Sequence, residues 1–470
     1  MKRTMIIDTP TLSGQTVTVM GWVDSKRDHG KVTFIDLRDR TSLIQCVGVN
    51  MLGELTVESV VKITGLVKDR SERNINPDLA TGTVEIEVTE YEVLNKSKEL
   101  PIQLDSDGYE IGEEPRLKYR YLDLRRSRMR QNLKLRSDYS RALREALYKR
   151  EFVEVETPLL TKSTKEGARD FIVPSRFQHG KFYALPQSPQ QYKQLLMTAG
   201  VERYFQFARC IRDEDLRADR GFEHTQVDLE MSFVSREEVM QTVEEMVKEA
   251  VTTVGGQLKD QQFPVFTYQE AIEKFGADKF DFRTEDEKKQ GLLAFAWVVD
   301  FPFFKKVDRS DAAEVADGRS GWTFTHNPFS QPKAEFLADH LAGENIDQIL
   351  TTQYDLVCNG YEVGGGSIRA HQPEVLRQTF RIMGYSDEEI EANIGHMLEA
   401  FAVGTPPHGG IALGLDRHVM VLAQETSIKE SIAFPMTSTG RTAVMDAPST
   451  VAEEQLDELG LQIKPSINKE

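Results

Sequence analysis

The sequence has few cysteines, no long apolar run and no excess of positive charge. Its 470 residues include three cysteines without paired spacing. This argues against a disulfide framework or a zinc site and predicts a reducing cytoplasm as the location. No apolar stretch approaches the roughly 20 residues that a membrane helix needs, and the first residues lack the apolar core of a signal peptide. The net charge of −17 argues against indiscriminate nucleic-acid binding but permits a local basic face.

The length and patterning of the chain predict more than one domain, because 470 residues exceed one ordinary core. Residues 1–98 contain five short bursts of alternating apolar and polar residues, which predict a small closed β-barrel of the OB type. Residues 99–130 lose this alternation and contain prolines and glycines, so we expect a linker or hinge there. Residues 131–470 then form a second, larger domain.

The predicted barrel has the side chains of a nucleic-acid-binding surface. Barrels of this type bind single-stranded nucleic acid in a basic groove, where aromatic side chains stack on the bases. The candidates are Lys26, Arg27, Phe34, Gln45 and Arg70. The alternative is a barrel in which Phe34 is part of the core and the cations are merely solvated, since a fold does not imply a function.

Three segments of the second domain carry the strongest functional signal. Phe207 to Arg220 runs from an apolar strand into alternating arginines and carboxylates, and fixed guanidiniums are suited to gripping phosphate oxygens. Alone, this segment is equally a solvated charged loop. Together with Phe152 to Pro158 and Gly404 to Arg417, in this order, it resembles the signature motifs of class II aminoacyl-tRNA synthetases. The resemblance implies an α+β multidomain protein whose catalytic domain is an antiparallel sheet flanked by helices.

The first domain resembles the anticodon-binding domain of aspartyl-tRNA synthetases. The matching residues are Gly21 to Val23, Arg27 to Gly30, Phe34 to Asp39 and Asn74 to Asn76. The resemblance implies that Phe34 stacks on the central anticodon base, that Gln45 reads its edge, and that Arg27, His29 and Arg70 complete the surface. Histidine at the position of His29 is common in members that also charge tRNA(Asn), whereas members restricted to tRNA(Asp) often carry leucine.

The resemblance also implies a set of substrate ligands. Lys193 and Arg369 would bracket the side-chain carboxylate of aspartate, which suits a charged substrate better than neutral asparagine. The full aspartate set is Glu166, Gln190, Lys193, Arg212, His326 and Arg369. Asp355 and Glu362 would hold Mg²⁺ on the ATP phosphates, because this ion prefers hard oxygen ligands.

The implied ATP site overlaps this set. Arg212 would neutralise charge on the α-phosphoryl group, Glu214 would accept from the adenine amino group, and Arg417 would hold the γ-phosphate. These three are the predicted catalytic residues. The full ATP set is Arg212, Asp213, Glu214, Glu362, Gly414, Leu415, Asp416 and Arg417.

The chain resembles the bacterial type of this family but departs from it twice. Bacterial members usually carry a large inserted domain, which is replaced here by a short charged linker near residues 283–291. The family also usually has a glutamine near ATP at the position of Gly221, so that contact is in doubt.

The resemblance implies attachment of L-aspartate to tRNA(Asp) through aspartyl-adenylate, with ATP converted to AMP and diphosphate, and it extends to tRNA(Asn) through His29. It also implies a homodimer formed through the helix that leads to Pro158. The alternatives are an asparaginyl- or lysyl-tRNA synthetase, a synthetase paralogue that forms amides, and a non-catalytic RNA-binding protein. The pair of Arg369 and Lys193 argues against an asparaginyl- or lysyl-tRNA synthetase. The intact barrel argues against an amide-forming paralogue, and the three motifs argue against a non-catalytic RNA-binding protein.

Overall fold

The structure is a computed structural model that describes residues 2–164, 166–310, 314–315 and 318–464. The chain divides into two compact units, residues 1–103 and residues 104–470. The sequence predicted a boundary after residue 98 and a linker over residues 99–130. In the structure, residues 104–130 instead belong to the larger unit.

The smaller unit is a closed five-stranded barrel, as predicted for an OB-type domain. Its strands are β1 (Thr16–His29), β2 (Val32–Arg38), β3 (Leu43–Val49), β4 (Val60–Asp69) and β5 (Val84–Asn95), with 3₁₀ helices at Ile6–Leu12 and Glu72–Asn74. The strand order is β1-β2-β3-β5-β4. Ile35, Leu37 and Ile63 point into the barrel and are fully buried, because alternate side chains of a strand face the same side. Gly21 allows β1 to approach β2 closely, since an added Cβ would lie 2.1 Å from the carbonyl oxygen of Arg38.

The larger unit is built on an eight-stranded sheet. The strands of this unit are β6 (Val153–Glu154), β7 (Ile172–Pro174), β8 (Phe182–Ala184), β9 (Arg203–Ile211), β10 (Glu223–Ser232), β11 (Val265–Thr267), β12 (Phe295–Val299), β13 (Phe304–Lys306), β14 (Trp322–Phe324), β15 (Tyr354–Cys358), β16 (Tyr361–Ile368) and β17 (His408–Gly414). The sheet order is β11-β12-β15-β16-β17-β10-β9-β6, and its six central strands pair antiparallel. The predicted fold class is therefore confirmed.

Helices cover this sheet and extend beyond it. They are α1 (Glu113–Lys118), α2 (Arg120–Asp123), α3 (Ser127–Lys149), α4 (Gln190–Thr198), α5 (Arg236–Thr253), α6 (Tyr268–Phe275), α7 (Glu285–Lys289), α8 (Leu337–Ala342), α9 (Pro373–Ile382), α10 (Asp387–Phe401), α11 (Leu415–Leu422) and α12 (Glu453–Glu458), with 3₁₀ helices at Ala334–Phe336, Ile346–Gln348 and Ile428–Glu430. Among the described helices, none combines the length and the apolar character needed to cross a membrane.

The main core lies on one face of the sheet, against α3, α5 and α11. On β10, Val227, Leu229 and Met231 point into this core. Because successive side chains of a strand alternate, Asp228 and Glu230 point to the opposite face. The sheet thus has an apolar face that holds the unit together and a polar face that is available for a site.

A buried charge cluster ties residues 113–126 to the larger unit. The carboxylate of Asp123 accepts hydrogen bonds from Arg116 at 3.0 Å, Arg126 at 2.8 Å and Arg120 at 2.7 Å. Burial alone would raise the pKa of Asp123, but the arginines outweigh it and hold that pKa below its usual value. Arg120 also donates to the carbonyl oxygen of Ile432 at 2.8 Å. This network explains why the predicted linker packs with the larger unit.

Candidate active site

Glycines form the floor of the polar face. An added Cβ at Gly410 would lie 2.1 Å from the carbonyl oxygen of Leu229 and 2.2 Å from a carboxylate oxygen of Glu230. At Gly366 it would lie 2.2 Å from the carbonyl oxygen of Gly410. The absent side chains leave room for a carboxylate to lie flat across β17, so these glycines are required for more than a tight bend.

Glu230 occupies that space and joins the two predicted specificity cations. Arg369 donates to it through Nε at 2.9 Å and Nη2 at 3.3 Å, and Lys193 Nζ lies 3.2 Å from its Oε2. The three side chains are at most 3% exposed. Burial alone would raise the pKa of Glu230, but the two cations outweigh it and lower that pKa. The structure therefore brings Lys193 and Arg369 together, as predicted, around a carboxylate that the prediction omitted.

Asp228 is the second acid that sequence reasoning missed. Its Oδ1 lies 3.1 Å from Lys193 Nζ, whereas its buried Oδ2 has no hydrogen-bond partner among the described residues. Burial raises the pKa of Asp228 despite the neighbouring lysine. An oxygen in this position suits a donor on a ligand. The available signal was the alternation of Asp228 and Glu230 with apolar residues on one strand.

Two more predicted aspartate ligands lie beside this network. Arg212 donates from Nε to the carbonyl oxygen of Gln187 at 3.2 Å. Glu166 accepts a hydrogen bond from Ser188 at 2.6 Å. Burial raises the pKa of the carboxyl group of Glu166, although the positive charge of Arg212 by itself lowers it. Asp228, Arg212, Glu166 and Lys193 all influence the pKa of the buried Cys210, which burial raises.

A hydrogen-bonded relay orients Gln190, the remaining predicted ligand on α4. Gln190 Nε2 donates to Gln194 Oε1 at 2.9 Å, and Gln194 Nε2 lies 3.1 Å from His408 Nε2. His408 Nδ1 lies 2.8 Å from the carbonyl oxygen of Pro406. Because a carbonyl oxygen can only accept, Nδ1 carries the proton and Nε2 accepts from the amide. The relay fixes which end of the Gln190 amide faces the site.

A cleft of ≈ 210 Å³ lies beside Arg212. Its walls carry arginines from three segments, Arg212, Arg220 and Arg417, and so attract anions. Of the predicted ATP residues, those that line the cleft are Arg212, Glu214, Glu362, Gly414, Asp416 and Arg417.

Three predicted ATP residues, Leu415, Asp213 and Asp416, make contacts within the protein. Leu415 is buried in the main core, and Asp213 forms an ion pair with Arg169 at 3.4 Å outside the cleft lining. Asp416 accepts from Arg136 at 2.6 Å and from the backbone N–H of Thr225 at 2.9 Å. These contacts hold α11 and β10 in place, because they use both carboxylate oxygens of Asp416.

The cleft also contains Gly221, where the family usually has a glutamine. At Gly221 an added Cβ would meet its nearest neighbour at 3.4 Å, so the position has room for a side chain that this protein lacks. His224 lines the same wall. Burial, followed by Arg212 and Arg417, lowers the pKa of His224 well below its usual value, so this imidazole is neutral.

The predicted metal ligands lie close together at the end of the cleft. An added Cβ at Gly365 would lie 3.1 Å from Asp355 Oδ1 and 3.4 Å from Glu362 Oε1, so both carboxylates flank this glycine. His326 Nε2 lies 3.0 Å from Asp355 Oδ2. Burial alone would lower the pKa of His326, but the carboxylate of Asp355 outweighs it and raises that pKa. Lys279 Nζ lies 2.7 Å from Glu362 Oε2.

The carboxylates of Asp355 and Glu362 suit a hard cation that takes its other ligands from water and from a bound substrate. Across the described ranges, no group of three or more His, Cys, Asp or Glu side chains could hold a metal ion alone. Mg²⁺ is usually bound by one or two carboxylates together with water and substrate phosphates. Two carboxylates beside an arginine-lined cleft meet that requirement.

The smaller unit presents the predicted anticodon residues on one outer face. Phe34 pairs in register with Arg27 and contacts the edge of His29, with ring centroids 5.7 Å apart. Gln45 accepts from Arg27 at 3.2 Å and donates to Glu85 at 2.8 Å, and Arg70 lies 3.7 Å from Glu85. Phe34 alternates with the buried Ile35 and is partly exposed, which argues against its alternative reading as core.

Comparison with known proteins identifies related families for both units. Residues 112–438 match the family of tRNA synthetases class II (D, K and N), and residues 17–94 match the family of OB-fold nucleic acid binding domains. An aspartate–tRNA(Asp/Asn) ligase of Corynebacterium aurimucosum is 39% identical over 580 aligned residues, covering 97% of this chain and 95% of the relative. An aspartate–tRNA(Asp/Asn) ligase of Rhodococcus erythropolis is 38% identical over 587 aligned residues, which cover 98% of this chain and 96% of the relative.

The first alignment exceeds the 470 residues of this chain by 110 positions, so at least that many have no counterpart here. This agrees with the absence of a large insertion.

Solved structures of low sequence identity share the fold. The crystal structure of a putative aspartyl-tRNA synthetase from Leishmania major matches with a TM-score of 0.74 at 19% identity, covering 92% of this chain and 93% of that chain. Asparaginyl-tRNA synthetase from Pyrococcus horikoshii, complexed with asparaginyl-adenylate, matches with a TM-score of 0.71 at 23% identity, covering 91% and 96%.

The relay predicts that His408 stays neutral in mildly acidic solution. Burial lowers its pKa to about 4, below the usual value of 6.5. Between these values the unfolded chain binds the proton and the folded chain does not, so folding stability falls as the pH drops from about 6.5 to about 4. Carbon-13 NMR of labelled histidine, assigned with His408→Gln, should show a neutral His408 ring at pH 5.5. Protonation of this ring near pH 6.5 would contradict the relay.

Proposed function

The chain belongs to the tRNA synthetases class II (D, K and N), and from that premise we propose that it attaches L-aspartate to tRNA through an aspartyl-adenylate. The observation that carries this proposal is the convergence of Lys193 and Arg369 in a buried site. Arg369 uses four of its five N–H donors on Glu230, Ser367 and Gly410, and a lysine has three donors. Donors therefore remain for a substrate carboxylate.

The geometry supports a role for each group around the amino acid. The side-chain carboxylate of aspartate would bind between Lys193 and Arg369. Its ammonium would donate to the unpartnered Oδ2 of Asp228. Glu230 balances the two cations in the absence of substrate. A neutral side chain would gain little from the site, because it cannot use the charges of Lys193 and Arg369.

Adenylate formation then requires little proton chemistry. The α-carboxylate of aspartate attacks the α-phosphorus of ATP in line, and diphosphate leaves. No general base is needed because the nucleophile is already an anion. Arg212 faces both the amino-acid volume and the cleft, so it would stabilise charge developing on the α-phosphoryl oxygens. Glu214 and Arg417 would hold the adenine and the γ-phosphate.

Asp355 and Glu362 would hold Mg²⁺ beside these phosphates. When bound, the ion neutralises part of the phosphate charge. In the second step, a hydroxyl of the terminal adenosine of tRNA attacks the carbonyl carbon of the adenylate and AMP leaves. Proximity in one closed site supplies up to about 7–11 kcal/mol toward such a step. We infer the cytoplasm as the setting, since the three cysteines are free and buried; cell fractionation would test this.

ATP–pyrophosphate exchange with aspartate, asparagine and lysine separates the candidate substrates. We expect exchange with aspartate only. Arg369→Leu should raise the KM for aspartate by about 30-fold to 4,000-fold, because truncating one partner of a buried charge pair costs about 2–5 kcal/mol. Arg381→Leu, which removes an exposed arginine on α9, is the matched control. Unchanged exchange kinetics in a folded Arg369→Leu protein would rule out the assignment, and exchange with asparagine would favour the alternative enzyme.

We also propose that both tRNA(Asp) and tRNA(Asn) are charged. The relatives named above are aspartate–tRNA(Asp/Asn) ligases, and His29 lies against Phe34 on the outer face of the barrel. An imidazole offers a donor and an acceptor to more than one base edge. Radiolabelled aspartate should be transferred to both transcripts. His29→Leu should reduce charging of tRNA(Asn) more than that of tRNA(Asp), whereas His179→Leu in the larger unit should change neither. Charging of the tRNA(Asp) transcript alone would end the proposal.

A homodimer is proposed through the end of α3, the helix that leads to Pro158, and the segment that follows it. Tyr148, Val153, Leu159 and Leu160 are exposed apolar side chains there, and β6 forms an edge of the sheet. Burial of such a patch by a second copy is favourable. Light scattering at micromolar concentration should give twice the 53.4 kDa chain mass. Leu160→Glu should lower this mass, and Val403→Glu, at an exposed position on another segment, should not. A monomeric wild-type protein would refute the interface.

A further inference from the structure

The segment between α6 and β12 is anchored against the strands that carry the proposed metal ligands. Gly276 ends α6 in a left-handed conformation, at φ = 75°. Phe280 is buried and stacks on Phe275 with ring centroids 4.0 Å apart. Its carbonyl oxygen accepts a hydrogen bond from the backbone N–H of Gly360 at 3.0 Å, in the turn between β15 and β16. The segment therefore has a fixed position beside Asp355 and Glu362.

A second set of contacts fixes the other end of this segment. Arg283 donates to Asp281 from Nε at 2.9 Å and from Nη2 at 2.8 Å, and it donates to the carbonyl oxygen of Leu292 at 3.0 Å. The backbone on both sides of Lys279 is thus held by aromatic packing and by ion pairs. Lys279 itself is the flexible part, because its four-carbon side chain is about one-third exposed.

The ammonium of Lys279 lies where a cation would bind Glu362. Nζ is 2.7 Å from Glu362 Oε2. The negative charges of Asp355 and Asp278 also favour the protonated ammonium. Glu362 is in turn influenced by Arg417 and His326. A divalent ion on Glu362 and an ammonium at this distance would repel each other strongly. Both cannot occupy this side of the carboxylate.

We propose that Lys279 holds Glu362 in the metal-free protein, is displaced when the divalent cation binds with ATP, and then binds a phosphate oxygen of that ATP. The inference rests on the proposed function and adds a phosphate-binding residue from the segment between α6 and β12. Glu362 lines the cleft and contacts Lys279, so an ammonium released from Glu362 would lie beside the proposed phosphate site. Lysine suits this task because it is a point charge on a flexible stem.

Direct measurement of metal binding without nucleotide tests the first half of the proposal. Mn²⁺ is the probe, and free Mn²⁺ is measured by electron paramagnetic resonance. Lys279→Met should bind Mn²⁺ about tenfold more tightly than the wild type, because a competing cation has been removed. Lys279→Arg should resemble the wild type. Lys289→Met, which removes a surface lysine from α7, should also resemble the wild type. Tighter binding cannot result from misfolding, and unchanged or weaker binding in Lys279→Met overturns the proposal.

The second half is tested by the nucleotide dependence of ATP–pyrophosphate exchange. In Lys279→Met the KM for MgATP should rise about tenfold, since one phosphate contact is lost, while the KM for aspartate stays within about twofold. An unchanged KM for MgATP would overturn the transfer to phosphate. Failure of the proposed function is a separate result: the wild type would then show no exchange with aspartate, while the Mn²⁺ measurement would still decide whether Lys279 competes for Glu362.

Discussion

Burial of Glu230 between two cations is the interaction on which the site depends. A carboxylate with no exposure is costly unless its charge is matched, and here Lys193 from α4 and Arg369 from the end of β16 match it. The match fixes α4 and β16 against β10. It also holds the charged ends of Lys193 and Arg369 on the same carboxylate. In the proposed function, the same charges also select the substrate.

The glycines of β16 and β17 make this arrangement possible. Side chains at Gly366 or Gly410 would collide with neighbouring backbone, and at Gly410 also with the carboxylate of Glu230. Gly365 leaves space between Asp355 and Glu362 in the same way. A flat, side-chain-free strip of sheet thus allows the Glu230 network, the arginine-lined cleft and the carboxylate pair to adjoin one another. Rigid strands hold each group, which favours catalysis by preorganised charge.

The sequence predicted the fold class because short alternation identifies strands and the three motifs identify the catalytic domain. It also predicted the two cations of the amino-acid site, which lie together in the structure. It did not predict Asp228 or Glu230, since buried acids on a strand look like ordinary polar positions. The relay from Gln190 to His408 joins residues more than 200 positions apart, and a single sequence holds no signal for such a contact. Lys279 was overlooked because its segment lacks a motif.

The central claim is that Lys193 and Arg369 together select a carboxylate side chain in front of Glu230. A crystal structure with a non-hydrolysable aspartyl-adenylate analogue tests it most directly. The account predicts that the side-chain carboxylate of the aspartyl group lies within hydrogen-bond distance of both Lys193 Nζ and the Arg369 guanidinium, with the ammonium near Asp228 Oδ2. An aspartyl group bound with its ammonium beside Glu230, or with its side chain away from Arg369, would contradict the account.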